Sequence, residues 1–203
     1  MKKRALIIVD IQNDFCPNGA LPVPNGDEVI PVVNSIMNEF DLVVATKDWH
    51  PENHISFAKN HPGKKVGDVV ETKNGIQILW PEHCVQNTYG AEFAKGLLTD
   101  RIDKIIYKGT NPEIDSYSGF FDNQRKNKTE LDDYLKSKGV SDIYITGLAT
   151  DYCVKFTALD GLSLGYKVYV IKDAVRGVNV NKGDSEKALM LIEEKGGKII
   201  DSL

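Results

Sequence analysis

Short apolar runs, rich in β-branched residues, recur at wide intervals along the chain. Runs of this kind are typical of strands buried on both faces, as in a parallel sheet covered by helices. Six such strands are predicted, at residues 6–9, 42–45, 104–107, 142–145, 167–171 and 198–200.

Helical patterns lie between most of these runs. Residues 29–40, 129–138 and 185–195 carry apolar side chains at helical spacing, and residues 151–164 are apolar on most faces. The alternation of strands and helices predicts one α/β domain over residues 1–203. We expect three α/β/α layers around a six-stranded, mostly parallel, Rossmann-like sheet.

The stretch from residue 51 to residue 99 follows neither pattern. It is rich in Pro, Gly, Asn and His and shows no clean period. Long unpatterned segments inside compact domains are usually functional or mobile. We therefore expect this stretch to build one wall of a binding site.

Composition narrows the class of protein further. The 203 residues include 25 Lys and Arg against 29 Asp and Glu, a formal net charge of −4, and 41% of them are hydrophobic. A mildly acidic chain without a sustained Lys/Arg stripe is not expected to bind nucleic acid or an anionic membrane. A small-molecule substrate is the expected partner, and a homo-oligomer is left open.

The cysteines and the first residues indicate the compartment. Three cysteines make neither an even-numbered disulfide framework nor a CxxC pair, which favours a reducing environment. The apolar run after Arg4 is five residues long before Asp10, too short for the core of a secretory signal. We predict a cytoplasmic protein.

Reactive side chains follow four of the predicted strands. Asp10 follows the first strand, Asp48 and His50 the second, Lys108 the third and Cys153 the fourth. Ligands of open parallel sheets bind outside the carboxyl ends of the strands. We therefore expect these side chains to meet at one rim of the sheet.

Cys153 falls where a strand turns into a helix. The unpaired amides of a helix N-terminus and a nearby ammonium both lower the pKa of a thiol, so we expect a thiolate nucleophile here. An isolated cysteine is more often a small packing residue, the role we expect for Cys16 and Cys84. Convergence with Asp10 and Lys108 favours catalysis, since the three would supply a nucleophile, a proton-transfer group and a stabilising cation.

Asp48 and His50 also form an Asp-x-His pair whose side chains could point to one side of the strand. With His83 from the unpatterned stretch they supply one carboxylate and two imidazoles, a donor set compatible with zinc, manganese or ferrous iron. The pair alone is weak evidence for a metal. His54 and His61 lie in the same stretch, either as further ligands or as surface histidines.

Five motifs occur in one order: DIQNDF at 10–15, DWHP at 48–51, WPEHCV at 80–85, KGTNP at 108–112 and GLATDYCV at 147–154. Together they resemble the isochorismatase-like cysteine hydrolases, and within that family the nicotinamidases (pyrazinamidases). The resemblance extends from about residue 5 to residue 175. It implies a fold of six parallel strands and the hydrolysis of nicotinamide to nicotinate and ammonia.

The resemblance also implies roles for single residues. Cys153 would be the nucleophile, Asp10 the proton-transfer residue and Lys108 the cation of an Asp-Lys-Cys triad. The family's cis peptide, here between Leu148 and Ala149, would direct the amides of Ala149 and Cys153 into an oxyanion hole.

A metal ion and a pocket for the substrate ring are implied in the same way. Asp48, His50 and His83 would hold one divalent ion, with zinc preferred over manganese or iron, that contacts the pyridine nitrogen. His54 is left outside this ligand set. The positions that pack around the ring in the family match Phe15, Trp80 and Tyr117.

Three other functions were weighed against this one. A carbamoyl or ureido amidase of the same fold would share the triad but generally lack the metal donors, so those donors favour a nicotinamidase. Isochorismate hydrolysis is disfavoured because members with that activity lack the cysteine. A redox thiol protein is disfavoured because no resolving cysteine stands at CxxC spacing.

Overall fold

Strands and helices alternate along most of the chain, as the hydrophobic pattern predicts. The computed structural model describes residues 3–203. In chain order the elements are β1 (Lys3–Val9), α1 (Val29–Ile36), β2 (Leu42–Asp48), β3 (Val69–Thr72), β4 (Gly75–Ile78), β5 (Lys104–Lys108), α2 (Leu131–Ser137), β6 (Val140–Leu148), α3 (Lys155–Ser163), β7 (Lys167–Arg176), α4 (Asp184–Glu194) and β8 (Lys198–Ile200).

Six of these strands form one parallel sheet in the spatial order β5-β2-β1-β6-β7-β8. All six strands predicted from the sequence are confirmed. The chain winds outward from β1 in both directions, so the strand order reverses between β1 and β6. A crevice opens at the carboxyl ends of the strands at such a reversal, and ligands of open α/β sheets bind there.

The two faces of the sheet are covered by different elements. Along β1, Leu6 and Ile8 pack into one apolar cluster and Ala5, Ile7 and Val9 into the other, because side chains alternate across a strand. Helix α1 covers the first face together with loop residues between 84 and 97. Helices α2, α3 and α4 cover the second face, which confirms the three-layer arrangement.

The stretch from 51 to 99 contains a two-stranded antiparallel hairpin, β3–β4, that the hydrophobic pattern does not predict. Its strands are four residues long, and apolar Val69 and Ile76 are exposed while polar Gln77 is buried, so the hydrophobic pattern does not follow the buried face. Within residues 3–203, no helix is both long and apolar enough to cross a membrane.

Two predicted helices differ from a regular α-helix. The helix predicted at 29–40 ends as α-helix at Ile36 and continues as a 3₁₀ turn over Met37–Glu39. The buried helix predicted at 151–164 begins as a π-helical turn, Thr150–Val154, before α3 starts. Such π-helical turns are frequent at functional sites.

Gly147, near the end of β6, is predicted to tolerate no side chain. Its φ of +105° favours glycine, and an added Cβ would lie 2.0 Å from the carbonyl oxygen of Val9. We expect Gly147→Ala to lower the free energy of unfolding by about 3 kcal/mol, the sum of backbone strain and overpacking. Urea denaturation measures this loss.

Gly165→Ala is the matched control for that substitution. Gly165 has a φ of +90°, but nothing lies within 4 Å of an added Cβ. Only the backbone strain, about 1 kcal/mol, is therefore expected there. Equal losses in the two variants would contradict the role given to close packing between β6 and β1.

Candidate active site

Asp10 lies at the point where the chain leaves β1. Its φ of 47° turns the backbone out of the sheet directly after Val9, and its side chain is wholly buried. The Thr46 hydroxyl on β2 donates a hydrogen bond of 2.6 Å to Asp10 Oδ1 and accepts one of 3.2 Å from the Asp10 amide. The Thr46 side chain thus holds both the backbone amide and the carboxylate of Asp10.

Lys108, the last residue of β5, places its buried ammonium among four partners. Nζ lies 2.7 Å from Asp10 Oδ2, an ion-pair contact rather than an aligned hydrogen bond, and it also pairs with Asp48 Oδ1. It donates to the Ser116 carbonyl at 3.0 Å and lies 3.4 Å from Cys153 Sγ. The expected meeting of strand ends is therefore present in the structure.

The two carboxylates beside this ammonium have different proton affinities. Burial raises the pKa of Asp10 to about 6, against the lowering effect of Lys108. Burial also acts to raise the pKa of Asp48, but Lys108 and His50 together hold it well below its ordinary value. Asp48 is therefore a permanent carboxylate, whereas Asp10 can gain and lose a proton near neutral pH.

Cys153 lies in the π-helical turn and is buried. Burial raises the pKa of its thiol well above the ordinary value, because the lowering effect of Lys108 is smaller and both Asp10 and Asp48 oppose ionisation. The lowering effect of Lys108 that the sequence predicts is present, but burial outweighs it. The thiol needs a base, and Asp10 Oδ, Asp48 Oδ and Cys153 Sγ lie within 4.8 Å of one another.

The backbone before Cys153 contains a cis peptide bond, between Leu148 and Ala149, as the family resemblance implies. The Ala149 carbonyl accepts hydrogen bonds of 3.1 Å from the amides of Tyr152 and Val154, which ties the end of β6 to the turn that carries Cys153.

Asp48, His50 and His83 bring three metal-binding atoms within 4.8 Å of one another. The Nε2 atoms of His50 and His83 lie 3.6 Å and 3.9 Å from Asp48 Oδ2. Each Nδ1 donates to a carbonyl, to Gly109 at 2.8 Å and to Pro81 at 2.7 Å. Both Nε2 atoms therefore face the Asp48 carboxylate, where a metal ion would bind, and these hydrogen bonds fix both rings.

His54, left outside the ligand set in the sequence analysis, lies beside it. Its ring centroid is 4.1 Å from that of His50, and its Nδ1 is 2.7 Å from Ser56 Oγ. Its Nε2 is buried without a hydrogen-bond partner in the described part of the chain. Burial lowers the pKa of His54 to about 3, so the ring is neutral and can donate a lone pair. His61 belongs to none of the donor groups found in residues 3–203.

The donor set fits a divalent metal ion. It combines one ionised carboxylate with imidazoles whose Nε2 atoms converge, the ligand types that zinc, manganese and ferrous iron accept. Burial and the neighbouring His50 lower the pKa of His83, so this ligand too is neutral. His54 forms a separate donor group with His50 and Asp115, so it stays outside the set of Asp48, His50 and His83.

A cavity joins the Cys153 thiol to Asp48 and His83. The three ring-binding residues predicted from the sequence all line it, and Trp80 Nε1 donates to the Tyr117 hydroxyl at 3.0 Å. The rings of Phe15 and His83 are 5.5 Å apart. Five further lining residues were not predicted from the sequence, namely Leu21, Val23, Asp115, Tyr152 and Val178.

Two carboxylates missed by the sequence analysis hold the loops around this cavity. Asp14 Oδ2 accepts a 2.7 Å hydrogen bond from the Cys84 amide and so joins the loop after β1 to the loop that carries His83. Asp151 accepts hydrogen bonds of 2.9 Å and 2.7 Å from the amides of Val178 and Asn179. Both lie inside motifs of the family, which is the signal that could have found them.

Comparison with known proteins assigns the family. The model of the isochorismatase domain matches residues 4–202. The chain belongs to the isochorismatase family. Nicotinamidase of Escherichia coli K12 is 47% identical to this family member over 203 residues, which cover 98% of the chain and 95% of that relative. The family and the fold expected from the motifs are confirmed.

Solved structures agree with this assignment of the isochorismatase-family chain. The Acinetobacter baumanii nicotinamidase and pyrazinamidase has a TM-score of 0.95 at 44% identity, over 98% of this chain and 96% of that one. The pyrazinamidase of Pyrococcus horikoshii, solved in complex with zinc, has a TM-score of 0.80 at 45% identity, over 98% of both chains.

The convergence of imidazoles around Asp48 predicts one metal site. We expect protein stripped with a chelator to take up about one equivalent of zinc, and His83→Ala to weaken that binding at least about 100-fold, since a direct ligand is lost. Competition with a fluorescent zinc chelator measures the affinity. His61→Ala is the control and should bind zinc like the wild type. Unchanged binding by His83→Ala would contradict the assignment.

Proposed function

We propose that this chain is a nicotinamidase, which hydrolyses nicotinamide to nicotinate and ammonia through a thioester on Cys153; pyrazinamide is expected to be a second substrate. One observation carries the proposal: a thiol, a carboxyl group that titrates near pH 6 and a buried ammonium share a cavity with a cluster of metal donors. The similarity to curated nicotinamidases supports it.

The first step is proton transfer from Cys153 to Asp10. The thiolate is stabilised by the Lys108 ammonium, 3.4 Å from the sulfur. It attacks the amide carbon, forming a C–S bond while the C=O electron pair moves onto oxygen. The backbone amides of Ala149 and Cys153 would stabilise this oxyanion, at about 3–4 kcal/mol for each donor.

Collapse of this intermediate restores the C=O bond and breaks the C–N bond. The proton held by Asp10 passes to the departing nitrogen, which leaves as ammonia. A water molecule then loses a proton to Asp10 and attacks the thioester carbon. Breaking the C–S bond releases nicotinic acid, the proton on Asp10 returns to Cys153, and the acid loses its own proton to solvent to give nicotinate.

Asp48, His50 and His83 would hold one divalent metal ion, with the buried Nε2 of His54 beside them. When bound, the ion supplies a Lewis acid that orients the pyridine ring through its nitrogen and withdraws electron density from it. Zinc accords with the donor set and with the zinc complex of the Pyrococcus horikoshii relative, and the donors also accept manganese or iron. The ring itself would pack among Phe15, Trp80 and Tyr117.

Further predictions from the sequence belong to this proposal. The family match over residues 4–202 supports a single domain spanning residues 1–203. A cytoplasmic location and the oligomeric state stay predictions. The expected binding partner is the small-molecule substrate. Binding to nucleic acid or to a membrane is not expected.

Release of ammonia from nicotinamide tests the proposed reaction. We expect purified, zinc-loaded protein to produce ammonia and nicotinate, and Cys153→Ala to reduce the rate at least about 10³-fold because the nucleophile is lost. Cys16→Ala, which removes a thiol from the packed interior, should keep most of the rate. Chelator treatment should abolish turnover of nicotinamide. Turnover of a ureido or carbamoyl substrate but not of nicotinamide would show the alternative amidase instead.

The pKa of Asp10 predicts the acid side of the pH profile. A protonated Asp10 cannot accept the thiol proton, so kcat/KM should fall about tenfold per pH unit below about 6 and level off above it. Thr46→Val removes a donor that lowers this pKa, so the inflection should move to higher pH. An inflection that stays in place would contradict the assignment of Asp10 as the base.

A further inference from the structure

Strand β2 extends beyond the part of β1 that pairs with it. The paired register of β1 and β2 ends at Ile8 and Ala45, and Asp10 then turns the chain out of the sheet. On its other edge β2 stays paired with β5 up to Asp48 and Lys108. The peptide groups at Asp48 that face β1 are therefore buried beside a strand that has already ended.

The side chain of Gln12 occupies this place. Its Oε1 accepts a 2.8 Å hydrogen bond from the Asp48 amide, and its Nε2 donates one of 2.8 Å to the Asp48 carbonyl. Nε2 also donates at 2.9 Å to the carbonyl of Ala91. Gln12 is wholly buried, so its amide reproduces, without water, the two bonds that a neighbouring strand would make.

Asp48, the residue that Gln12 holds, belongs both to the group around the Lys108 ammonium and to the metal donors. Asp48 Oδ1 pairs with the Lys108 ammonium, and Asp48 Oδ2 faces His50 and His83. A carboxylate on a short side chain moves with its backbone, so rotation of the Asp48 peptide groups would displace both oxygens. The hydrogen bond to Ala91 further ties Gln12 to the loop that follows His83.

We propose that Gln12 is a positioning residue that fixes the Asp48 carboxylate, and with it the metal donors, by taking the place of the missing strand. This inference rests on the metal site of the proposed function. It assigns no contact between Gln12 and the substrate. Its effect is transmitted through the backbone of Asp48.

The chemistry of the glutamine side chain explains why this residue type is needed. Both Nε2 hydrogens are used on carbonyls while Oε1 accepts from an amide, so donor and acceptor are required together. Glutamate keeps the shape but places an oxygen against the carbonyls of Asp48 and Ala91. Methionine keeps about the same length and offers neither a donor nor an acceptor of comparable strength.

Zinc affinity, measured without nicotinamide, tests the proposal. We expect Gln12→Met and Gln12→Glu to bind zinc about 10- to 100-fold more weakly than the wild type, the usual effect of losing a partner of a metal ligand. Gln86→Met is the matched control. Gln86 Nε2 donates a 3.0 Å hydrogen bond to the carbonyl of Trp49, which is the residue after Asp48. This variant should bind zinc within about twofold of the wild type. Urea denaturation shows whether each variant is folded.

Wild-type zinc affinity in both Gln12 variants would overturn the proposal, and so would an equal loss in Gln86→Met. If Gln12→Met does not fold, Gln12→Glu, which keeps the side-chain shape, decides. A failure to hydrolyse nicotinamide would count against the proposed function but leave the zinc comparison intact.

If the wild-type protein takes up no zinc, the assignment of the metal site is contradicted. Crystal structures of the two Gln12 variants then decide the positioning role. A carboxylate of Asp48 displaced from Lys108 supports the role, and an unmoved one overturns it.

Discussion

The buried ammonium of Lys108 is the contact on which the rest of the site depends. It touches two carboxylates, a carbonyl and the thiol of Cys153, all withdrawn from solvent. Removing one partner from such a buried group typically costs about 3–5 kcal/mol, because the remaining charges are left uncompensated. The arrangement is built by the sheet, since β5, β2 and β1 are neighbours and their carboxyl ends deliver Lys108, Asp48 and Asp10 to one point.

The same ammonium separates the roles of the two carboxyl groups. Asp48 stays ionised because Lys108 and the histidines surround it, and it can face a metal ion. For Asp10, burial and the neighbouring Asp48 outweigh the effect of Lys108, so it exchanges a proton near pH 6. Two chemically identical side chains thus become a permanent anion and a proton carrier, a division set by environment alone. Burial, together with Asp10 and Asp48, raises the pKa of the Cys153 thiol, so the reaction needs a group that carries its proton.

The unpatterned stretch from 51 to 99 supplies what the strand ends cannot. It brings His83 opposite Asp48, places Trp80 over the cavity and covers one face of the sheet with residues such as Ala91. Its loops are held by the side chains of Asp14 and Gln12 together with isolated backbone bridges, such as those between Phe57 and Trp80 and between His50 and Val85. This explains why a region without periodic structure can still hold side chains in fixed positions.

The six strands, the helices, the family and the residues at the strand ends could be predicted from the chain alone, because each depends on local periodicity or on a contiguous motif. The remaining features depend on groups distant in sequence, so they arise only in the folded chain. Burial beside Asp10 and Asp48 raises the pKa of the Cys153 thiol. The packing of the His54 ring against His50 places His54 beside the metal donors, and the apolar wall comes from loops without a pattern.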